Sequence, residues 1–218
     1  MNAPETASSR YVLEASPLSR AEIEILAKQQ RSQLDLSFIN SLGTPFVALL
    51  FRHIQESPVG CLITARERAS GPIVGHISAA SDLRSLYRGF VVRHGLRAAW
   101  LARRALTPSG CARALETLWY PRRSRIAALP AAELLTFTIE QPHRGSGLSV
   151  LLYDELMRTM KAHGVRAIKV VTTATLVHFH AFLRHRGWKQ VGDIRLHPGE
   201  EWHSLVFAYR EGSSCRTS

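Results

Sequence analysis

A mixed α/β sheet with helices packed on its faces is predicted by two features of the sequence. Short β-branched and aromatic runs alternate with helix-period segments, in the order strand, helices, strand, strand, helical segment, strand, helix, strand, helix, strand, strand. One stretch, residues 134–152, reads as a strand, a tight glycine loop and a helix without interruption. The length of 218 residues suits one domain with an insertion. We expect a disordered tail at 1–10, one domain over 11–210 that includes an insertion at 82–131, and a second tail at 211–218.

The elements follow in order. Residues 11–15 form a strand candidate. Ser19 and Glu22 form a capping box ahead of a helix whose buried stripe is Ile23, Leu26 and Ala27. A second helical region covers 34–42 and stops at Gly43. Thr44 then caps a helix with Pro45 at its first position and Phe46, Leu49, Leu50 and Ile54 on its apolar face. Residues 59–65 and 73–79 read as a hairpin across the polar turn 66–72.

Residues 82–131 are helical in character but broken at Gly95, Pro108, Gly110 and Pro121. Ten arginines stand against two acids between 82 and 125, so most of the net charge of +11 sits there. Leu96, Trp100, Leu101 and Leu106 share one side of a helix with arginines opposite, the pattern of a basic amphipathic surface helix. A strand over 134–139 follows. After the glycine loop, a helix runs from Leu148 to about His163 and ends at Gly164. A strand over 167–173, a helix over 176–186 and two strands over 188–196 and 202–209 complete the chain, the last two joined by a turn at 197–200.

Composition bounds the function. A hydrophobic share of 45% and a charged share of 21% are those of a soluble globular protein, and no apolar run approaches the roughly 18 residues of a membrane span. No signal-peptide core is present in the first residues, so a cytoplasmic protein is expected. Cys61, Cys111 and Cys215 are scattered and lack metal-ligand spacing, so no metal site is expected. The basic charge points to an anionic partner: a phosphorylated ligand, an anionic membrane surface or nucleic acid. Little aromatic interleaving accompanies it, which disfavours nucleic acid.

The loop Arg144-Gly145-Ser146-Gly147 carries two readings. It is a tight βα connection, or it is an anion site in which backbone N–H groups, the dipole of the following helix and the openness of glycine converge on a phosphate. Its spacing is neither that of a Walker loop nor that of a dinucleotide fingerprint.

The loop and the element order resemble the GNAT superfamily of acyl-CoA-dependent N-acetyltransferases, and the long insertion is similar to members associated with bacterial surface-polysaccharide synthesis. The family's Arg/Gln-x-x-Gly-x-Gly/Ala pattern is matched by Arg144, Gly145, Ser146, Gly147, Leu148 and Ser149, with serine at the last position. Phe182-Leu183-Arg184-His185-Arg186-Gly187-Trp188 resembles the family's Phe-Tyr-x-x-x-Gly-Phe. The resemblance implies a twisted, mostly antiparallel sheet of about seven strands flanked by helices, with acetyl-CoA as co-substrate. Residues 144–149 would hold the pyrophosphate, and the main chain of Phe137, Thr138 and Ile139 the pantetheine arm, in a splay between that strand and the next. A backbone N–H there would polarise the acyl carbonyl for direct attack by an amine.

The resemblance places Glu133 where several members carry a general base; the other reading is a solvated strand-end carboxylate. His76 faces the same cleft or packs within its strand, and Asp82 binds a cationic amine or caps a helix. Leucine at 183 replaces the tyrosine that protonates the leaving thiolate in many members, and Leu176 replaces an asparagine. His180 is the candidate substitute acid, because histidine titrates near neutrality; the alternatives are a packing role for it and water as the acid. The expected reaction is acetyl transfer to a small-molecule amine, with an amino sugar as first candidate acceptor. The competing reading is a weakened acyl-CoA-binding module that docks on a membrane or nucleic acid through its arginines. A homodimer and a longer acyl donor both stay open.

Overall fold

Seven strands form one sheet in the order β1-β2-β3-β4-β5-β7-β6. The structure, a computed structural model, describes residues 10–33, 42–103, 129–194 and 204–211. Its elements are β1 (Tyr11–Glu14), α1 (Arg20–Gln33), α2 (Thr44–Glu56), β2 (Gly60–Glu67), β3 (Ile73–Ala80), α3 (Leu83–Ala102), β4 (Ala132–Ile139), a 3₁₀ turn (Gln141–His143), α4 (Leu148–Ala162), β5 (Ala167–Thr173), α5 (Val177–His185), β6 (Lys189–Ile194) and β7 (Ser204–Arg210). The predicted helix over 34–42, the turn at 197–200 and the arginines of the insertion from Arg104 to Arg125 fall mainly or wholly outside the described residues.

Every neighbouring pair is antiparallel except β4 and β5. A parallel pair needs a crossover, and α4 supplies it. Its Leu148, Leu152, Leu156 and Met160 recur at helical spacing and are almost wholly buried against the sheet. Gly164, at φ 76°, ends it in the left-handed conformation that glycine adopts without Cβ strain.

Two cores lie on opposite faces. One joins α4 and α5 to Ile63, Ile77, Leu134, Ile168, Val170 and Phe207. The other packs Ile23, Leu26, Ala27, Val47, Phe51 and Ile54 of α1 and α2 on Leu62, Ile73 and Ala80. β3 is therefore buried along its whole length, as a strand covered on both faces must be.

The capping box forms as predicted: Glu22 N–H donates to Ser19 Oγ at 3.3 Å and Ser19 N–H to Glu22 Oε2 at 2.7 Å. Arg66 also pairs with Glu22, and these bonds hold the Glu22 carboxyl down at about 2. Thr44 differs from its expected capping role. Gly43, at φ 92°, occupies the cap position without a side-chain bond, and Thr44 Oγ1 instead accepts from Arg31 at 2.7 Å.

β4 carries an irregularity in its pairing with β3. Ala79 pairs with Leu134 while Ser78 pairs with Thr136, so Leu135 is an extra residue in β4. A bulge of this kind turns the side chains beyond it to the other face. Phe137 and Ile139 thus point toward α4 and α5, whereas Leu135 packs on the α1–α2 side.

Candidate active site

The gap between β4 and β5 begins at the bulge. The two strands pair only at Ala132, Glu133 and Leu134, against Ile168, Lys169 and Val170. Beyond Leu134 they diverge, and the β5 edge of β4 is left without a strand partner. Glu140 N–H donates to Val74 O at 2.9 Å, which fixes the alternation of the ladder. Thr136 and Thr138 exchange their main-chain bonds with Ser78 and His76, while the N–H and C=O of Phe137 and Ile139 point into the gap. The expectation for Thr138 is corrected accordingly: its amide serves β3, and its side chain, 2% exposed, donates to Gln30 Oε1 at 2.7 Å.

The glycine loop stands at the open end of this gap. Gly145 and Gly147 have φ of 76° and 85°, and Gly147 sits at the N-cap of α4. Arg144 N–H donates to Gln141 O at 3.2 Å. Among the described residues, the N–H groups of Gly145, Ser146, Gly147, Leu148 and Ser149 donate to no main-chain carbonyl. Left-handed glycines alternating with other residues turn successive N–H groups toward one concavity, and the α4 dipole adds positive potential there. No Cβ on Gly145 would meet anything within 4 Å, so the approach is open.

A side-chain network fixes the loop from the far edge of the sheet. Tyr11 Oη donates to Ser146 Oγ at 3.0 Å, Ser146 Oγ donates to the His143 carbonyl at 2.7 Å, and Tyr11 Oη lies 3.0 Å from His143 Nδ1. With the tyrosine proton given to Ser146, the third contact is His143 Nδ1–H donating to Tyr11. Arg144 Nε donates to Ile139 O at 3.3 Å, which ties the loop to the strand edge.

Glu133 lies where β4 and β5 are still paired. Its carboxylate is 9% exposed, and Lys169 Nζ stands 3.1 Å from Oε2, an ion pair whose angles fall outside hydrogen-bond geometry. Lys169 Nζ donates to Pro130 O at 2.7 Å instead. Burial pushes the Glu133 carboxyl up and Lys169 restores only part of the shift, so it holds a proton more readily than an exposed glutamate. Tyr87 of α3 is close enough for the Glu133 charge to add to burial in pushing its phenol up. A carboxylate raised toward neutrality matches the demand on a general base.

Comparison with solved structures settles the architecture. The chain is similar to NAA60 of Arabidopsis thaliana in complex with a bisubstrate analogue (13% identity, 92% of this chain and 97% of that chain, TM-score 0.58). It is likewise similar to an acetyltransferase of the GNAT family from Staphylococcus aureus Mu50 (12% identity, 92% and 98%, TM-score 0.55). The chain has the GNAT fold. The ribosomal-protein-S18-alanine N-acetyltransferase of Escherichia coli shares it too (8% identity, 95% and 98%, TM-score 0.56). No family model and no curated protein sequence matches the chain.

Within the GNAT fold, three expected site residues are corrected. His76 shares the face of Glu133 but is sealed beneath Phe51, at 0% exposure, with the two rings 5.1 Å apart edge to face. Neither ring nitrogen has a protein partner, and burial depresses its pKa to about 3. It is a neutral core residue and faces no cleft. Asp82 caps α3, accepting from Ser85 N–H at 3.1 Å and Ser85 Oγ at 3.0 Å. Both oxygens are engaged and the carboxyl is held below its ordinary range, so capping is its role.

His180 is 4% exposed and stacks on Phe207 at 5.2 Å. Burial lowers its pKa, with Arg184 adding to the effect, and its Nε2 has no hydrogen-bond partner. A buried imidazole with a lowered pKa does not hold the second proton that an acid must give, which corrects its assignment as the acid. Leu183 is fully buried in the core formed with α4, so no hydroxyl stands there.

Tyr11, His143 and Lys169 escaped the sequence reading. Tyr11 is separated from its partners by more than 130 residues, and only the β1–β2 register brings it near. The pairing of Lys169 with Glu133 depends on the parallel β4–β5 register, which no local pattern encodes. Among the described residues, no group of acidic, histidine or cysteine side chains is placed to hold a metal ion.

Proposed function

We propose that this protein transfers an acetyl group from acetyl-CoA to the amine of a small molecule. The observation that carries the reading is the run of amides from Gly145 to Ser149 that donate to no main-chain carbonyl, set at the open end of a gap where the Phe137 and Ile139 edge has no strand partner. Those amides and the α4 N-terminus take the pyrophosphate, and the free edge bonds the amides of the pantetheine arm. The thioester then lies near the Leu135 bulge, where a strand N–H stabilises the developing oxyanion.

In the reaction the amine nitrogen bonds to the acyl carbon and the C–S bond breaks. Glu133, directly or through one water, accepts the proton lost from nitrogen, and the thiolate takes a proton from water. Neither Leu183 nor His180 supplies that proton. The acceptor we favour is an amino sugar carried on a phosphate, because α3 starts beside Glu133, where Leu83 N–H donates to Ala131 O at 3.0 Å, and carries Arg84 in its first turn and no acid. A screen of amines, amino sugars and nucleotide sugars, read by thiol release from acetyl-CoA, tests the proposal. Acetyl-CoA turnover with at least one amino sugar supports it; absence of CoA binding by calorimetry overturns it.

A further inference from the structure

α3 has an apolar face too many. Its inner face buries Leu83, Leu86, Phe90 and Ala98 and is fully partnered, with Phe90 packed on Phe46 and His53. Its outer face carries Val92, Leu96 and Trp100, exposed at 81%, 93% and 61%. These lie four residues apart and form one stripe. The sequence pattern grouped Leu101 with Leu96 and Trp100, but Leu101 turns inward against Leu49 and Phe90. The helix is therefore two-sided, and the exposed side is the one that needs an explanation.

The charges around the stripe identify its occupant. Arg88 continues it by one turn toward the N-terminus, Arg93 and Arg97 flank it one residue on, and the Arg103 guanidinium lies 4.0 Å over the Trp100 ring. From Leu83 to Ala102 there is no acidic residue. Among the described residues, Arg93 is the one of these arginines that reaches a carboxylate, Glu56 at 3.8 Å, and Glu56 is already bonded to Arg52 at 2.7 Å. Large aliphatic and indole side chains standing out of a basic face match a surface that is apolar within and anionic at its rim. A nucleic acid would take the arginines but leave Val92 and Leu96 uncovered.

We infer that the outer face of α3 lies on an anionic lipid bilayer, with Val92, Leu96 and Trp100 in the headgroup–acyl boundary and the arginines on lipid phosphates. Vesicle binding is read without acyl transfer, so it stands or falls separately from the proposed reaction.

The test is co-sedimentation of the full chain with vesicles of phosphatidylcholine alone, and with about 30% phosphatidylglycerol added. Binding to the anionic vesicles only, weakening with salt, is expected. Leu96→Ser with Trp100→Ser abolishes it, and Arg88→Gln with Arg97→Gln weakens it about tenfold or more, both with unchanged circular dichroism. The inference is overturned by equal binding to neutral vesicles, by no binding to either, or by binding that both double variants leave intact. A polynucleotide complex, or a dimer broken by the same variants, in place of vesicle binding also overturns it.

Discussion

Replacing Lys169 by methionine isolates the electrostatics of Glu133. The change keeps the length of the side chain and removes the ammonium 3.1 Å from Oε2, at a site where both residues are under 10% exposed. Removing one partner of a buried ion pair costs about 3–5 kcal/mol while the other stays charged. Loss of the bond to Pro130 O adds about 1 kcal/mol at any pH. The sign with pH follows from the raised Glu133 pKa. A carboxyl whose folded pKa lies above its unfolded value contributes stability below the unfolded pKa, and that contribution is lost as pH rises through the folded pKa. Without Lys169 the folded pKa climbs further. The deficit of the variant is then largest in alkaline buffer, shrinks by about 1.4 kcal/mol per pH unit once Glu133 protonates, and leaves only about 1 kcal/mol in acid. Urea unfolding at about pH 5.5 and about pH 8.5 compares the two regimes, with the smaller deficit at the lower pH. Glu133→Gln combined with Lys169→Met removes the pH dependence. Equal deficits at the two pH values, or no effect of the added glutamine, would refute a buried ionised Glu133.

Three further outcomes are expected. Tyr11→Phe removes the donor to Ser146 and the acceptor of His143 and weakens CoA binding about fivefold, the worth of one net hydrogen bond, without unfolding the chain; unchanged affinity by calorimetry would mean that the loop holds itself. His76→Leu raises stability by about 1–2 kcal/mol at neutral pH because two orphaned ring nitrogens disappear, and it leaves turnover intact. Since the folded His76 pKa is depressed to about 3, the wild type loses stability as pH falls below the unfolded histidine value and the variant lacks that loss, as acid titration of the urea midpoint will show. His180→Gln keeps turnover within about threefold and leaves the shape of its pH profile unchanged, whereas a general acid would account for about a hundredfold or more.

Local chemistry was legible in the sequence where it is local in space. Gly145 and Gly147 announce a tight loop, Ser19 and Glu22 announce a cap, and the period of Leu148, Leu152, Leu156 and Met160 announces a buried helix. Register was not legible. The extra residue at Leu135 decides which main-chain groups face the gap, and nothing in its neighbours marks it. Burial was not legible either: His76 and His180 are ordinary histidines in sequence and become neutral only because Phe51 and Phe207 cover them. Asp82 carried both of its readings in the sequence, and the position of Ser85 three residues on was the better guide.

The central claim is that the amides of Gly145 to Ser149 hold the pyrophosphate of acetyl-CoA. Calorimetric titration of CoA into the wild type and into Gly147→Glu tests it most directly, with Gly147→Ala as control for the backbone strain of roughly 1–2 kcal/mol that any side chain at φ 85° introduces. The account predicts saturable binding to the wild type, weakened binding to the alanine variant and none to the glutamate variant, whose carboxylate occupies the anion site. Equal CoA affinity in all three would contradict it.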